Sequence, residues 1–179
     1  MRPQMVETRL QEGDPLDRAR AFEKAGDARV YESGIEDAQV NYGWSIDAFL
    51  EARAFEEAIR ICRKLIRLSP GVVRTRYTLL FLLVGLERYE EARAALEEYV
   101  RVVLVSGTRS FAIPRLQLLA HVTEDAATTD LIESILIDLG AKQLGYTVHL
   151  HRDDDAGVHS GSERAERWET LLPIALRDD

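Results

Sequence analysis

The sequence predicts an all-α protein in which antiparallel helix hairpins stack into an α-solenoid, with a leading N-terminal helix and a C-terminal tail helix. The first observation behind this prediction is a four-residue pattern that returns every 34 positions, at residues 55–58, 89–92 and, less regularly, 123–126. The second is the helical spacing of apolar residues along most of the chain. A fixed period of this length indicates repeated units, each too small to bury its apolar face alone.

Composition limits the classes of partner. The chain has 179 residues, the size of one ordinary domain, and a formal net charge of −8, which disfavours nonspecific binding to nucleic acid or anionic lipid. Its single cysteine, Cys62, cannot form an internal disulfide, and its first residues lack the apolar stretch of a secretory signal. The most apolar stretch, residues 77–86, is about half as long as a membrane-spanning helix. We therefore expect a cytoplasmic protein with no nucleic-acid partner and no membrane insertion.

Residues 1–34 are predicted to form an N-terminal segment that contains the leading helix. Asp14 can accept hydrogen bonds from the amides of the first turn, and Pro15 suits the first helical position because no N–H is needed there. The apolar residues that follow have helical spacing: Leu16, Ala19, Phe22 and Ala25. The helix is predicted to end near Gly34.

The first helix pair is predicted over residues 35–53 and 55–68. Its second helix has one apolar stripe opposite a charged face, which is typical of a helix buried on one side. Pro70 ends the pair, because proline cannot continue a helix and disfavours helical geometry in the residue before it.

Two further units and a tail follow. The unit over residues 72–106 has the strongest echoes at 34-residue spacing, whereas the unit over residues 107–139 diverges, since Pro114 falls within its first helix. Terminal repeats are expected to diverge because one of their sides faces water. The last segment, residues 140–179, carries no repeat.

The tail divides into three parts. Residues 146–152 fit a short extended piece or a helix end, and residues 153–161 fit a polar linker. A tail helix is predicted from Ser162, which can cap it. Its apolar side includes Ala165, Trp168 and Leu172.

In its 34-residue repeats the sequence resembles the tetratricopeptide repeat family, whose units are helix–turn–helix pairs of 34 residues. In that family an aromatic residue opens the second helix of each unit, and a small residue three positions later lies where two helices cross. Phe55 with Ala58, and Tyr89 with Ala92, match these roles. The resemblance covers about residues 35–139. It implies three units, over residues 35–71, 72–106 and 107–139.

The sequence also departs from the family pattern. Ile46 and Leu80 stand where the family often has glycine, and only the first unit ends in the expected proline. Some members hold a partner's C-terminal carboxylate with lysines and asparagines. The corresponding positions here carry Gly43, Asp47, Thr78 and Ala112, with Arg74 as the nearest cation. We therefore expect no carboxylate clamp of that kind.

No catalytic residue, cofactor or metal site is predicted. The sequence contains no glycine-rich phosphate loop, nucleophile elbow or paired-cysteine site. The acidic pairs at residues 56–57, 90–91 and 124–125 lie in predicted first turns, where negative charge favours the exposed amides. Cys62 lies on an apolar stripe, which indicates a small buried side chain rather than a reactive thiol.

A metal site in the tail is a minor alternative. His149 and His151 would face the same way on a strand, and His159 with the acidic residues 153–155 could complete the ligand set. The simpler interpretation is a solvated polar linker.

In the helix predicted over residues 74–86, only Thr78 and Gly85 interrupt the apolar run of residues 77–86, so no polar face remains there. A helix that is apolar all round is buried all round. In the family's arrangement the first helices of the units line a concave groove. That arrangement implies groove-facing positions at Arg74, Tyr77, Phe81 and Val84.

The sequence leaves open which part of this or another protein buries this helix. The neighbouring helices of the stack could bury it, or the tail helix could do so through Trp168 and Leu172. A second copy of the protein or a partner's apolar segment could also cover it.

We expect a noncatalytic interaction module, an adaptor, scaffold or chaperone-like protein that binds a peptide or helix of a partner protein in the apolar groove. The alternative is a homo-oligomer in which the groove and the tail helix form the dimer interface.

Overall fold

The computed structural model describes residues 13–32 and 34–140, together with Trp168 and Leu171. Every element with assigned bounds in this part of the chain is an α-helix, which confirms the all-α prediction. The helices are α1 (Pro15–Glu32), α2 (Ile35–Glu51), α3 (Phe55–Leu68), α4 (Val73–Gly85), α5 (Tyr89–Ser106), α6 (Arg109–Val122) and α7 (Ala126–Asp138).

The predicted bounds agree closely with these helices. α3 begins and ends at the predicted residues, and α1 begins at Pro15 with the Leu16 N–H donating to Oδ1 of Asp14 at 2.9 Å. α2 is shorter than predicted and ends at Glu51. It stops there because Arg53 adopts a left-handed φ of 56°, which no continuing α-helix can accommodate.

The turn after α2 has the same geometry as the turn after α4. Arg53 and Glu87, which lie 34 positions apart, both have left-handed φ angles, of 56° and 58°. In both turns the next N–H donates to the carbonyl oxygen five positions back, at 2.8 Å. These bonds join Ala54 to Phe49 and Arg88 to Leu83. The 34-residue period is therefore present in the backbone as well as in the side chains.

The helices belong to two compact units, residues 1–75 and residues 76–179, which we call the first unit and the second unit. The three 34-residue units of the sequence are called repeat units below. In the first unit, α1 packs on α2 and α2 packs on α3. In the second unit, α7 packs on both α5 and α6. α4 begins in the first unit, and most of its length belongs to the second.

In the first unit, α1 and α2 approach each other closely at Gly26. A Cβ atom at this position would lie 2.8 Å from Cε1 of Tyr42, so only glycine permits the approach. The Tyr42 hydroxyl donates to Oδ1 of Asp27 at 2.6 Å, which holds the ring against α1. One turn further along α2, the buried Ser45 hydroxyl donates to the carbonyl oxygen of Ala19 at 2.8 Å.

A carboxylate on α1 binds two cations on α3. Nη1 and Nη2 of Arg60 each donate to an oxygen of Glu23 at 2.6 Å, and Nζ of Lys64 lies 3.3 Å from Oε1 of the same carboxylate. Lys64 also pairs with Asp27 and lies over the Tyr42 ring, 5.1 Å from its centroid. Hydrogen bonds from Arg60 lower the pKa of Glu23 more than partial burial raises it. The cluster thus joins α1 to α3 through an ionised carboxylate.

Stability should depend on the ionisation of Glu23. Its pKa is lower in the folded chain than in the unfolded one, so its contribution is complete above the unfolded value of about 4.3 and is lost as the pH falls through the folded value. We expect Glu23→Gln to lower the urea midpoint at pH 7 and to reduce the further fall below about pH 4.5. Equal pH slopes for the wild type and the variant in urea titrations would contradict this role.

In the second unit, the divergent third helix pair is complete. α6 continues through Pro114, which forgoes one backbone hydrogen bond because proline has no N–H. Asp125 caps α7 by accepting from the Thr128 N–H at 2.9 Å. Nη1 of Arg93 on α5 donates to the same carboxylate at 2.8 Å. This ion pair links the divergent pair to α5.

Candidate binding groove

From Tyr77 to Val84, α4 is buried on all of its faces, as the lack of a polar side in this stretch predicts. Residues 77–84 are all at most 9% exposed, and Tyr77, Phe81 and Val84 are at most 3% exposed. A side chain on every face of this helix is therefore in contact with other parts of the protein.

Four aromatic rings form a continuous row across the second unit, which we call the aromatic row. The ring centroid of Tyr99 on α5 lies 5.9 Å from that of Tyr77 on α4, and the Tyr77 centroid lies 6.1 Å from that of Phe81, one turn later. Phe81 in turn lies 6.2 Å from Trp168 of the tail. These centroid separations and tilted geometries are in the favourable range for aromatic pairs. The row therefore brings a tail residue into contact with the middle helix.

The phenols of the row are neutral. Burial raises the pKa of Tyr77 and of Tyr99. The Tyr77 hydroxyl donates to the carbonyl oxygen of Arg115 at 3.1 Å, while the buried Tyr99 hydroxyl has no hydrogen-bond partner among the described residues. Both side chains consequently act in the row mainly as aromatic surface.

Arg115 on α6 places a positive charge beside the aromatic row. The central carbon of its guanidinium lies 3.4 Å from the ring centroid of Phe111 and 6.0 Å from that of Tyr77. Both distances are within the range of cation–π attraction. Nη1 of the same guanidinium also donates to the carbonyl oxygen of Phe111 at 3.3 Å.

Phe111 and Arg115 were not predicted from the sequence as site residues. They lie 34 positions after Tyr77 and Phe81, so the repeat period itself points to them. The third repeat unit, residues 107–139, diverges from the second, because Arg115 stands where the second repeat unit has Phe81. This difference obscured the correspondence.

The four predicted groove residues differ in exposure. Arg74 is exposed on the first turn of α4, whereas Tyr77, Phe81 and Val84 are buried. Their role in binding a partner stays a prediction. Of the two predicted tail contacts, Trp168 is buried against Phe81, and Leu172 lies outside the described residues.

The structure bears on two alternatives that the sequence raised, a metal site and a reactive cysteine. Within residues 13–32 and 34–140 and the two described tail residues, no group of three His, Cys, Asp or Glu side chains could hold a metal ion. His149, His151 and His159 lie outside the described residues. Cys62 is fully buried, and burial raises the pKa of its thiol, which disfavours the reactive thiolate.

The acidic pairs at the starts of helices take part in local ion pairs and caps. Glu57 lies 2.8 Å from Nε of Arg60, and Glu91 lies 2.7 Å from Nη2 of Arg88. Asp125 of the third pair caps α7. The pairs at residues 56–57 and 90–91 lie in first turns as predicted, whereas residues 124–125 precede α7, which begins at Ala126.

Comparison with known proteins identifies the repeat. Residues 49–102 match the family model described as tetratricopeptide repeat. This match confirms the resemblance read from the 34-residue period, and with the helices it supports an all-α helical-repeat fold. No match was found among curated proteins or among solved structures. No helix in the described part of the chain has both the length and the apolar character needed to cross a membrane.

Proposed function

Because residues 49–102 match the tetratricopeptide repeat family model, we propose that the protein is a noncatalytic interaction module that binds a peptide or helix of a partner protein. In this proposal the binding surface is the groove lined by α4 and α6, the first helices of the second and third repeat units. An adaptor, scaffold or chaperone-like role in the cytoplasm would use this surface in the same way.

The observation that carries the proposal is the position of the aromatic and cationic side chains. Tyr77 and Phe81 on α4, and Phe111 and Arg115 on α6, occupy the same two places in successive units. Their contacts show that the four side chains lie in one cluster. Aromatic residues and arginine are enriched in the energetically dominant parts of protein interfaces. Tyr77 and Phe81 are buried, whereas Phe111 and Arg115 are only partly buried and form the part of the cluster that a partner can reach. This part supports recognition of an apolar segment that also carries negative charge.

Arg74 provides a direct test, because it is exposed and its replacement does not disturb the core. We expect Arg74→Glu to reduce the recovery of the partner at least about tenfold in quantitative affinity capture, equivalent to about 1.4 kcal/mol. The bait is the full-length chain, and the readout is the ratio of captured proteins between variant and wild type.

Arg101→Glu is the matched control, because it makes the same change of charge on α5. Arg101 is 66% exposed and pairs with Glu98 at 2.6 Å, outside the first helices of the units. Partner recovery should be unchanged in this variant. Equal recovery with both variants, or equal loss, would show that binding does not depend on the groove face of α4.

Self-association is the second candidate, and the contact of Trp168 with Phe81 favours it, since the same contact could form between two copies. In that case the mass measured by light scattering or sedimentation should remain dimeric at nanomolar concentration. Deletion of residues 161–179 should then yield a monomer. A monomeric wild type at these concentrations would rule this candidate out.

A further inference from the structure

The first unit holds α1 with few large buried side chains. Only Ala19 and Gly26 are buried in this helix, which the structure describes over its whole length. Its larger apolar side chains are partly exposed: Leu16, Phe22 and Val30. By comparison, α2 and α3 bury side chains as large as Phe49 and Ile59. Because buried apolar area is the main source of local stability, α1 depends on other contacts more than its neighbours do.

Five polar side chains connect α1 to both of these helices, and we call them the α1 cluster. The Glu23 carboxylate accepts hydrogen bonds from Nη1 and Nη2 of Arg60 at 2.6 Å and from Nζ of Lys64 at 3.3 Å. Lys64 also donates to Asp27, which accepts from the Tyr42 hydroxyl at 2.6 Å. Since Lys64 binds both of these carboxylates, the five groups form one network.

The α1 cluster is stronger than a set of exposed ion pairs. Isolated pairs in water add little stability, because solvent screens them and long side chains lose freedom. Here the side chains of Glu23 and Lys64 are only 17% and 27% exposed, and Arg60 binds Glu23 through two hydrogen bonds. Partial burial, two-point geometry and shared partners are the conditions under which ion pairs contribute to stability.

Both carboxylates of the α1 cluster are held in the ionised form. Hydrogen bonds from Arg60 lower the pKa of Glu23 more than partial burial raises it. Partial burial raises the pKa of Asp27, but hydrogen bonds from Lys64 and Tyr42 outweigh it and lower that pKa. The contribution of the cluster is therefore complete above the unfolded values of about 3.9 and 4.3, and it is lost as the pH falls through the lower folded values.

Opening α1 breaks fewer apolar contacts than unfolding the whole unit. An isolated helix of 18 residues with this mixed composition is marginal in water, so α1 unfolds once it is detached. α2 and α3 pack on each other and keep large side chains such as Phe49 and Ile59 buried. The two helices can therefore stay folded when α1 does not.

We propose that α1 is a cap of the first unit that opens by itself: when the α1 cluster is broken, the helix leaves α2 and α3 and unfolds while those two helices remain folded. Opening uncovers a face of α2 on which Tyr42 and Ser45 are at most 1% exposed. In the closed state the Ser45 hydroxyl donates to the carbonyl oxygen of Ala19 at 2.8 Å. Acid favours the open state, because it neutralises the carboxylates. This inference goes beyond the proposed function, because it does not involve α4 or α6.

Native-state hydrogen exchange of the full-length chain at low urea concentrations, resolved by NMR, tests the proposal. In the wild type, amides at residues 22–28 of α1 should exchange at least about tenfold faster than the slowest amides of α3, after correction for intrinsic rates. Their exchange should also depend less on urea, because opening α1 exposes less surface than unfolding the unit. One common opening free energy and one urea dependence for both helices would overturn the proposal.

Two carboxylates that share Arg60 separate the role of the α1 cluster from that of a local ion pair. Glu23→Gln should accelerate exchange in α1 at least about tenfold, because charged hydrogen bonds are lost. The difference from the wild type should shrink below about pH 4, where the wild-type carboxylate itself takes up a proton. Glu57→Gln is the matched control, because Glu57 accepts from Nε of Arg60 at 2.8 Å but lies on α3 with it. Exchange in α1 should be unchanged in this control. Equal acceleration by both substitutions would show that the cluster does not hold α1 in place.

Ile59→Val tests whether α1 and α3 open together. Ile59 is 1% exposed on α3, so the smaller side chain should accelerate the slowest amides of α3 about two- to tenfold. Exchange in α1 should not change, because its opening leaves α3 folded. Equal acceleration in both helices would mean that they unfold as one body and would overturn the proposal. The Arg74→Glu capture experiment involves none of these residues and tests the proposed function independently.

Discussion

Replacing Phe81 with alanine is expected to lower the free energy of unfolding by about 3 to 5 kcal/mol, the usual cost of removing a buried phenylalanine ring. Phe81 is 1% exposed and lies between Tyr77 and Trp168 in the aromatic row. Truncation would leave a cavity that these rings cannot fill without leaving their favourable geometry. Equilibrium unfolding in urea, followed by circular dichroism, measures the loss.

Phe22→Ala is a suitable control for this substitution. Phe22 is half-buried and packs on Trp44, itself 42% exposed, at a centroid distance of 5.4 Å. It should lose about half as much stability, because less apolar area leaves water on folding. A loss below about 1 kcal/mol for Phe81→Ala would contradict the buried position of this ring.

The expected instability of Phe81→Ala affects the choice of binding variants. A variant that loses most of the stability of the domain also loses its partner, whatever the partner contacts. Arg74→Glu avoids this ambiguity because Arg74 is exposed.

Gly26→Ala is expected to destabilise the first unit by about 1 to 3 kcal/mol, although alanine normally stabilises a helix relative to glycine. The added Cβ would lie 2.8 to 3.0 Å from three atoms of the Tyr42 ring. The ring cannot easily move away, because its hydroxyl bonds to Asp27 and Lys64 lies over its face. Urea unfolding gives the sign and the size of the effect.

Gly43→Ala on α2 should have the opposite sign. A Cβ at Gly43 would meet no atom within 4 Å, so only the helix propensity changes. We expect a gain of about 0.5 to 1 kcal/mol. If both variants were stabilised, the close approach of α1 and α2 at Gly26 would be wrong.

The helices could be predicted well because their signals are local. The apolar stripe of α3 and the proline after it lie within 16 positions, and they define Phe55 and Leu68 as its ends. The end of α2 was missed by two residues because Arg53 takes a left-handed conformation that glycine or asparagine would have signalled more clearly.

The candidate site could be predicted only in part. Periodicity identified α4 as a helix without a polar face, and the structure shows that it is buried throughout residues 77–84. Arg115 and Phe111 were missed, because their importance depends on stacking between side chains that the sequence does not place. The contact of Trp168 with the row was one of several covers that the sequence left open.

The sequence by itself determined the helical repeat, the bounds of α3, those of α1, α2 and α4 to within two residues, and the absence of a polar face over residues 77–86 of the middle helix. These properties depend on residues within one or two turns, where hydrophobic period and helix-ending residues act directly. Only the tertiary structure decided which side chain fills the space over Gly85 and which cation lies beside the aromatic row. Those contacts join residues distant in the chain, and their geometry depends on how whole helices pack.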